Sequence, residues 1–206
     1  MKNKHQCDWP EPNSITTVLE EGEESSWKPK LTRFGPLTLA EFEGANPQPI
    51  GSGRIGEAVR AKLGTLDIAC KLLCRSSWND EQYNMRIDEL KHETEVYHIL
   101  LHLQGTVIPR FLYAGSIVNA SYWLVPERGE ILAFATTYEG RSLEDMGPEY
   151  SKGFRLETSV HDPAFADLEK VHDAGVAHGD YFVSRNLVCD GEKIKFIDFW
   201  EFTAQK

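Results

Sequence analysis

Basic residues are the scarce charge in this 206-residue chain: 22 lysines and arginines stand against 32 aspartates and glutamates, a formal net charge of −10 at neutral pH. Such a deficit argues against docking on a nucleic-acid backbone or an anionic membrane through bulk electrostatics, since both need an excess of cations. No nucleic acid and no membrane are therefore expected as partners, whereas a metal-chelated nucleotide needs only a few local cations. Cysteine is scarce too. The four thiols, Cys7, Cys70, Cys74 and Cys189, form no CxxC pair and have no histidines at matching spacing, which argues against a zinc site or a disulfide framework. No apolar run approaches the roughly 20 residues of a membrane-spanning helix. The opening stretch MKNKHQCDWPEPNS lacks the apolar centre of a secretory signal. An intracellular, cytoplasmic protein with reduced thiols is the expectation, and Asn119-Ala-Ser121 is then a chance glycosylation match.

What is present is enough apolar material, 41% hydrophobic and 11% aromatic residues, to build one sizeable domain or two small lobes. Residues 1–34 contribute little to it. They are rich in Pro, Glu, Ser and Lys (EEGEESSWKPK), cannot bury enough surface to offset their ordering entropy, and read as a flexible acidic arm. From Leu37 the pattern changes. β-like runs at 37–43, 57–62 and 66–73, separated by GSGRIG and KLGT, predict an antiparallel meander.

Residues 80–103 carry the clearest helical pattern, with Asp80 as N-cap, Gly105 past the end, and Ile87, Leu90, Tyr97 and Leu100 or Leu101 at helical intervals. Glu93 falls on that apolar side, where an unpaired carboxylate is costly and a cation is expected beside it. Further β-like runs at 111–118 and 131–138 bring the strand count to five, so residues 35–138 read as a first lobe. A second helix is expected at roughly 163–174, starting with Pro163 after Asp162 and stopping at Gly175. The hairpin Leu187–Cys189 with 193–197, turning at Asp190-Gly191, closes a smaller second lobe over 139–206. The expected class is α+β.

Three stretches carry chemistry. The first, Gly51-Ser-Gly53-Arg-Ile-Gly56, matches GxGxxG, which a plain glycine-rich turn also satisfies. A dinucleotide fold would need a helix to start in its last glycines, but EAVRAKL runs into a turn and another strand-like run. A β-hairpin lid fits better, because glycines let backbone amides approach phosphate oxygens without side-chain clash. Second, Lys71 interrupts the apolar run LDIACKLL, either as an edge gatekeeper or as a cation held for a purpose, with Glu93 its natural partner. A structural ion pair would look the same. Third, in HGDYFVSRNLVCDGEKIKFIDFW, Asp180 sits in a turn where it can accept a proton from an attacking hydroxyl. Asn186 offers an amide oxygen to Mg²⁺, and Asp198 at a strand end is a hard-cation ligand. Taken singly, Asp180 and Asn186 are also turn formers and Asp198 a strand terminator.

Taken in order, these residues resemble the protein-kinase superfamily over about residues 36–206, and LEKVHDAGVAHGD is the most specific stretch. The resemblance implies a protein-kinase-like bilobal fold with a five-stranded antiparallel N-lobe sheet, one long helix and a shortened C-terminal lobe. It also implies ATP and Mg²⁺ as cofactors, with a hinge near 136–139 whose Thr136, Thr137 and Tyr138 meet the adenine edge. Gly51, Gly53 and Gly56 then cover the phosphates, Lys71 contacts the α- and β-phosphates and pairs with Glu93, Asp180 is the catalytic base, and Asn186 and Asp198 hold Mg²⁺.

Three departures shape the expectation. HGD at 178–180 replaces the HRD of protein kinases, a form common in phosphotransferases acting on aminoglycosides or choline and in some fungal kinase-like proteins. Asp180 and Asn186 are six apart where the family has five. Trp200 stands at the DFG glycine, and the sequence ends at Lys206, from which a truncated second lobe is expected. The leading expectation is an ATP-dependent transferase acting on a protein Ser/Thr or a small-molecule hydroxyl. The alternative is a pseudokinase or nucleotide-binding interaction module without turnover, and a non-kinase domain with accidental matches is the third reading. Apolar surface left by a short second lobe would favour a protein partner or self-association.

Overall fold

A computed structural model describes residues 42, 44–53, 55–74, 78–117, 131–147, 158–180, 183–191, 193–199 and 202–204. The acidic arm expected over 1–34 lies outside the described residues, as does Trp200. The chain divides into two units, one drawn from Met1–Asn84 and Leu112–Ala135, the other from Met85–Phe111 and Thr136–Lys206. The architecture is mixed α and β, built around a five-stranded antiparallel sheet with few helices.

That sheet consists of β1 (Gln48–Ser52), β2 (Glu57–Leu63), β3 (Leu66–Cys74), β4 (Phe111–Ile117) and β5 (Ile131–Thr137), in the order β1-β2-β3-β5-β4. Side chains alternate along these strands, so one face collects Val59, Ala61, Ile68, Cys70, Leu72, Ile131, Ala133 and Ala135 into the core of the first unit. Burying each large aliphatic side chain of this kind contributes about 1.5–3 kcal/mol. β5 is buried on both faces up to Thr136 and lies between β3 and β4 in the sheet.

The expected first strand over 37–43 is not there at its one described residue. Phe42 is helical, and its carbonyl accepts the Ala45 N–H at 3.2 Å, closing a turn that drives the ring into the sheet core. The edge strand is β1 instead. It is exposed throughout and paired antiparallel with β2 across a register shift between Pro49 and Gly51. Edge strands are where sheets accommodate proline, because half of an edge strand's backbone donors face away from the ladder.

The long helix α1 (Asp80–Ile99) follows. Its cap is Asn79 rather than Asp80: Asn79 Oδ1 accepts the Gln82 N–H at 2.9 Å, and Gln82 Oε1 accepts the Asn79 N–H at 3.3 Å. This reciprocal box satisfies an otherwise orphan donor, and Asp80 becomes the first helical residue, where its charge suits the helix dipole. Ile87, Leu90, Glu93, Tyr97 and Leu100 are buried, as the spacing predicts. The helix stops earlier than expected, and a 3₁₀ turn, Leu101–Leu103, leads to Gly105. Gln104 then locks the corner: its Nε2 donates to the Tyr97 carbonyl and its Oε1 accepts from Phe111 N, both at 2.8 Å.

The second unit continues with β6 (Arg141–Ser142), α2 (Leu143–Met146), α3 (Thr158–Asp173), β7 (Val176–His178), β8 (Leu187–Cys189), β9 (Ile194–Phe196) and β10 (Phe202–Ala204). β6, β8 and β9 form a three-stranded sheet; β7 pairs with β10. α3 begins five residues before Pro163, so the proline lies inside the helix and not at its first position. Its missing N–H removes one bond near the helix start, a loss that packing of α3 on β7 and β9 outweighs. The buried Asp167 ties α3 to Lys193 at the β8–β9 turn, at 3.2 Å.

Candidate functional site

In the first unit the glycine-rich stretch is the hairpin between β1 and β2, closed by the Gly53 N–H donating to the Gly56 carbonyl at 2.8 Å. Its glycines are not equivalent. A Cβ on Gly51 or Gly53 would meet nothing within 4 Å, whereas one on Gly56 would lie 2.0 Å from the Leu72 carbonyl oxygen. Gly56 is therefore required by the approach of the β3 backbone, and Gly51 and Gly53 leave open space above the turn.

Lys71 stands on β3 opposite Ala58 of β2. Its neighbours Cys70 and Leu72 face the core, so Lys71 alternates to the other face together with Ala69. Since β3 is flanked by β2 and β5, Lys71 is no edge gatekeeper. The ammonium lies 5.8 Å from the centroid of the Phe134 ring, within reach of a cation–π attraction.

The second unit gathers the other residues. His178 is 2% exposed and braces two places at once. Its Nε2 donates to the Ile197 carbonyl at 2.8 Å, and its Nδ1 accepts the Asp180 N–H at 3.3 Å. Those bonds fix the neutral tautomer with the proton on Nε2. The N–H of Ile197 in turn donates to the Asn186 carbonyl at 3.0 Å. Both backbone groups of the residue preceding Asp198 are thus held. Asp198 itself is partly buried with φ +69°, a left-handed conformation that costs a β-carbon-bearing residue roughly 1 kcal/mol and that aspartate adopts more readily than most.

The six-residue step from Asp180 to Asn186 closes on itself. Asn186, 1% exposed, ends a 3₁₀ turn, Ser184–Asn186, and its Nδ2 donates to the Asp180 carbonyl at 3.2 Å. Asp180 is partly exposed. The Asn186 side chain is thus tied to the Asp180 backbone.

Glu93 is 1% exposed on α1, one turn before the equally buried Tyr97. Burial pushes the Tyr97 phenol well above its ordinary range, and the negative charges of Glu93, Asp198 and Glu139 push it further. The Tyr97 ring meets Phe199 edge-on at 5.9 Å, and Phe199 packs on His178 at 4.6 Å.

The segment after β5 is tied down by Thr137. Its N–H donates to the Arg110 carbonyl at 2.9 Å, while its hydroxyl accepts the Arg110 N–H at 2.9 Å and donates to Glu139 Oε1 at 2.5 Å. Strand alternation turns the peptide groups of Thr136 to the opposite edge of β5. The Glu139 carboxylate also accepts the Lys195 ammonium.

The expected site residues thus fall in two groups. Gly51, Gly53, Gly56 and Lys71 belong to the first unit. Glu93, Thr136, Thr137, Tyr138, Asp180, Asn186 and Asp198 belong to the second, where His178 and Asn186 both bond Ile197, the residue before Asp198, and both bond the Asp180 backbone. His178, Tyr97, Phe199, Glu139 and Lys195 were not among the expected site residues. The only sequence signal for them is polarity inside apolar runs: the histidine in VAHGD, the lysine in IKF. Among the described residues no group of three or more His, Cys, Asp or Glu side chains is arranged to hold a metal. No protein-family model matches the chain, and no curated protein matches it in sequence.

Proposed function

We propose that the chain is an ATP- and Mg²⁺-dependent phosphotransferase of the protein-kinase-like class, with a bilobal fold, transferring the γ-phosphoryl group to a protein Ser/Thr or small-molecule hydroxyl. The observation that carries this reading is the double clamp on Ile197, by the Asn186 carbonyl and by His178, whose other nitrogen takes the Asp180 amide. Phosphoryl transfer asks a protein for positioning and charge stabilisation. A brace that ties a candidate base to a candidate metal ligand supplies the positioning.

In this reading Asp180, partly exposed, accepts the proton of the attacking hydroxyl. Asn186 and Asp198 hold Mg²⁺, and the residues fit that ion. The Asn186 amide nitrogen is committed to the Asp180 carbonyl, so oxygen is the atom its side chain can offer. Both ligands are then hard oxygen donors, and a divalent ion held by two protein groups keeps waters and phosphate oxygens in its remaining positions. Mg²⁺, when bound, neutralises charge on the phosphates. The first unit contributes Gly51, Gly53 and Gly56 over the phosphates and Lys71 as their cation. The Thr136 carbonyl and the Tyr138 N–H serve the adenine edge.

A second reading, a nucleotide-binding interaction module without turnover, is favoured by the lengthened step from Asp180 to Asn186. Two measurements separate them. Thermal shift with ATP, with and without Mg²⁺, should stabilise the protein by about 2.7 kcal/mol at 100 times the dissociation constant, and Lys71→Ala should remove most of that shift. Release or transfer of labelled γ-phosphate should then be present in the wild type and lost in Asp180→Asn. Binding without transfer supports the module; absence of any nucleotide effect overturns both.

A further inference from the structure

The ion pair between Glu139 and Lys195 lies outside the residues that either reading uses. Lys195 sits on β9 three residues before Asp198, and only 8% of it is exposed. Glu139 directly follows the 136–138 segment, and both its oxygens are occupied, Oε2 by Lys195 and Oε1 by the Thr137 hydroxyl. Thr137 is in turn bonded twice to Arg110. The next residue is gripped as well: Gly140 has φ +98°, and a Cβ there would come within 2.0 Å of the Cys189 carbonyl oxygen on β8. The end of the 136–138 segment is thus pinned to the β8–β9 hairpin by one backbone contact and one buried ion pair.

Buried ion pairs are weak sources of net stability, because desolvation offsets most of their attraction, but they fix geometry well when every atom is satisfied. Here both carboxylate oxygens are satisfied. The charge environment sharpens the point. The negative charges of Glu93, Glu139 and Asp198 all raise the Tyr97 pKa, and Lys195, paired with Glu139, is a cation in the same unit.

We propose that the Glu139–Lys195 pair is a positioning strut that sets the separation between the adenine-facing segment 136–138 and the metal ligand Asp198, and so measures the length of the nucleotide from base to phosphates. The proposal rests on the phosphotransferase reading. A ligand that uses only the 136–138 end does not depend on the strut, whereas one that must reach both ends does. Adenosine is the first kind of ligand and MgATP the second.

The test compares the wild type, the uncharged pair Glu139→Gln with Lys195→Met, and the length-traded pair Glu139→Asp with Lys195→Arg, after circular dichroism has verified folding. Dissociation constants for adenosine and for MgATP are measured by calorimetry. The uncharged pair should bind adenosine as the wild type does and MgATP about tenfold more weakly, and the length-traded pair should recover most of the loss. Equal weakening of both ligands, or of neither, overturns the strut and leaves the phosphotransferase reading standing. A wild type that binds no nucleotide overturns that reading and the strut with it. If the uncharged pair fails to fold, Lys195→Arg alone decides: MgATP affinity that falls while adenosine affinity holds supports the strut, and any other pattern overturns it.

Discussion

Tyr97 of α1 meets Phe199, the residue after Asp198, edge to face at 5.9 Å with ring planes at 89°. The contact belongs to a column of rings running from His178 through Phe199 and Tyr97 to Phe111. An edge-to-face pair contributes about 0.5–1.5 kcal/mol beyond its buried area. Position matters more than that sum, because the column joins the helix that carries Glu93 to the two aspartates. Phe199→Ala should destabilise by about 3–5 kcal/mol, as truncation of a buried aromatic does. Tyr97→Phe keeps the ring and should cost about 1 kcal/mol. Urea denaturation followed by tryptophan fluorescence measures both, and a Phe199→Ala variant as stable as the wild type would contradict the packing.

The glycines of the β1–β2 hairpin separate a structural from a functional requirement. Gly56→Ala puts a methyl group against the Leu72 backbone and should cost about 1–3 kcal/mol through overpacking. Gly51→Ala and Gly53→Ala enter open space and should stay within roughly 0.5 kcal/mol in stability. In the phosphotransferase reading these same two variants weaken ATP binding. Stability and nucleotide titrations on the three variants should therefore rank them in opposite orders.

Cys70 faces the sheet core at 1% exposure, and burial pushes its thiol up to about 12. The thiolate is the reactive form, so Cys70 should resist iodoacetamide in the native protein and label fully only after unfolding. Mass mapping of alkylated peptides with and without denaturant checks this. Labelling of native Cys70 at the rate of an exposed thiol would place it outside the core.

Much of the sheet was legible because β2 to β5 announce themselves by apolar residues between glycine-bearing turns, and α1 by its 3.6-residue period. β1 was not, because QPIGS has no apolar alternation and Pro49 argues against a strand that is tolerable only at an edge. The run at 37–43 misled at its one described residue, because Phe42 reaches the sheet core from a helical turn. Pro163 misplaced the start of α3 because proline favours a helix's first turn, whereas here it lies past that turn, five residues inside the helix. Asp180, Asn186 and Asp198 could be picked out by spacing. Their bracing could not: His178 reaches a carbonyl 19 residues away and Lys195 a carboxylate 56 residues away, pairings that only the folded chain creates.

Asp198 combines a strained backbone with a proposed role as metal ligand, so removing it should separate stability from function. Asp198→Gly accepts φ +69° without a β-carbon and removes one of the negative charges that raise the Tyr97 pKa. Stability should be unchanged or rise by up to about 1 kcal/mol. Any Mg²⁺-dependent part of nucleotide binding should disappear. Chemical denaturation and ATP titration with and without Mg²⁺ test the two halves separately. A loss of several kcal/mol would mean that the carboxylate is a structural anchor.

His98, next to Tyr97 on α1, gives the protein a pH dependence of determined sign. Its ring meets Phe111 at 5.7 Å, and its Nε2 is buried without a hydrogen-bond partner. Burial lowers its pKa from the ordinary 6.5, and the charge of Glu95 opposes that shift only in part. The unfolded chain therefore takes up the proton first as pH falls. Between 6.5 and the lower folded value the unfolded state binds more protons, so this group's contribution to stability declines as pH drops through that window and is constant above it. His98→Phe should flatten the stability profile below pH 7 while leaving the profile above pH 7 unchanged. Urea midpoints taken at half-unit pH intervals on both proteins decide the matter. Parallel profiles across the window would mean that the ring is solvated in the native state.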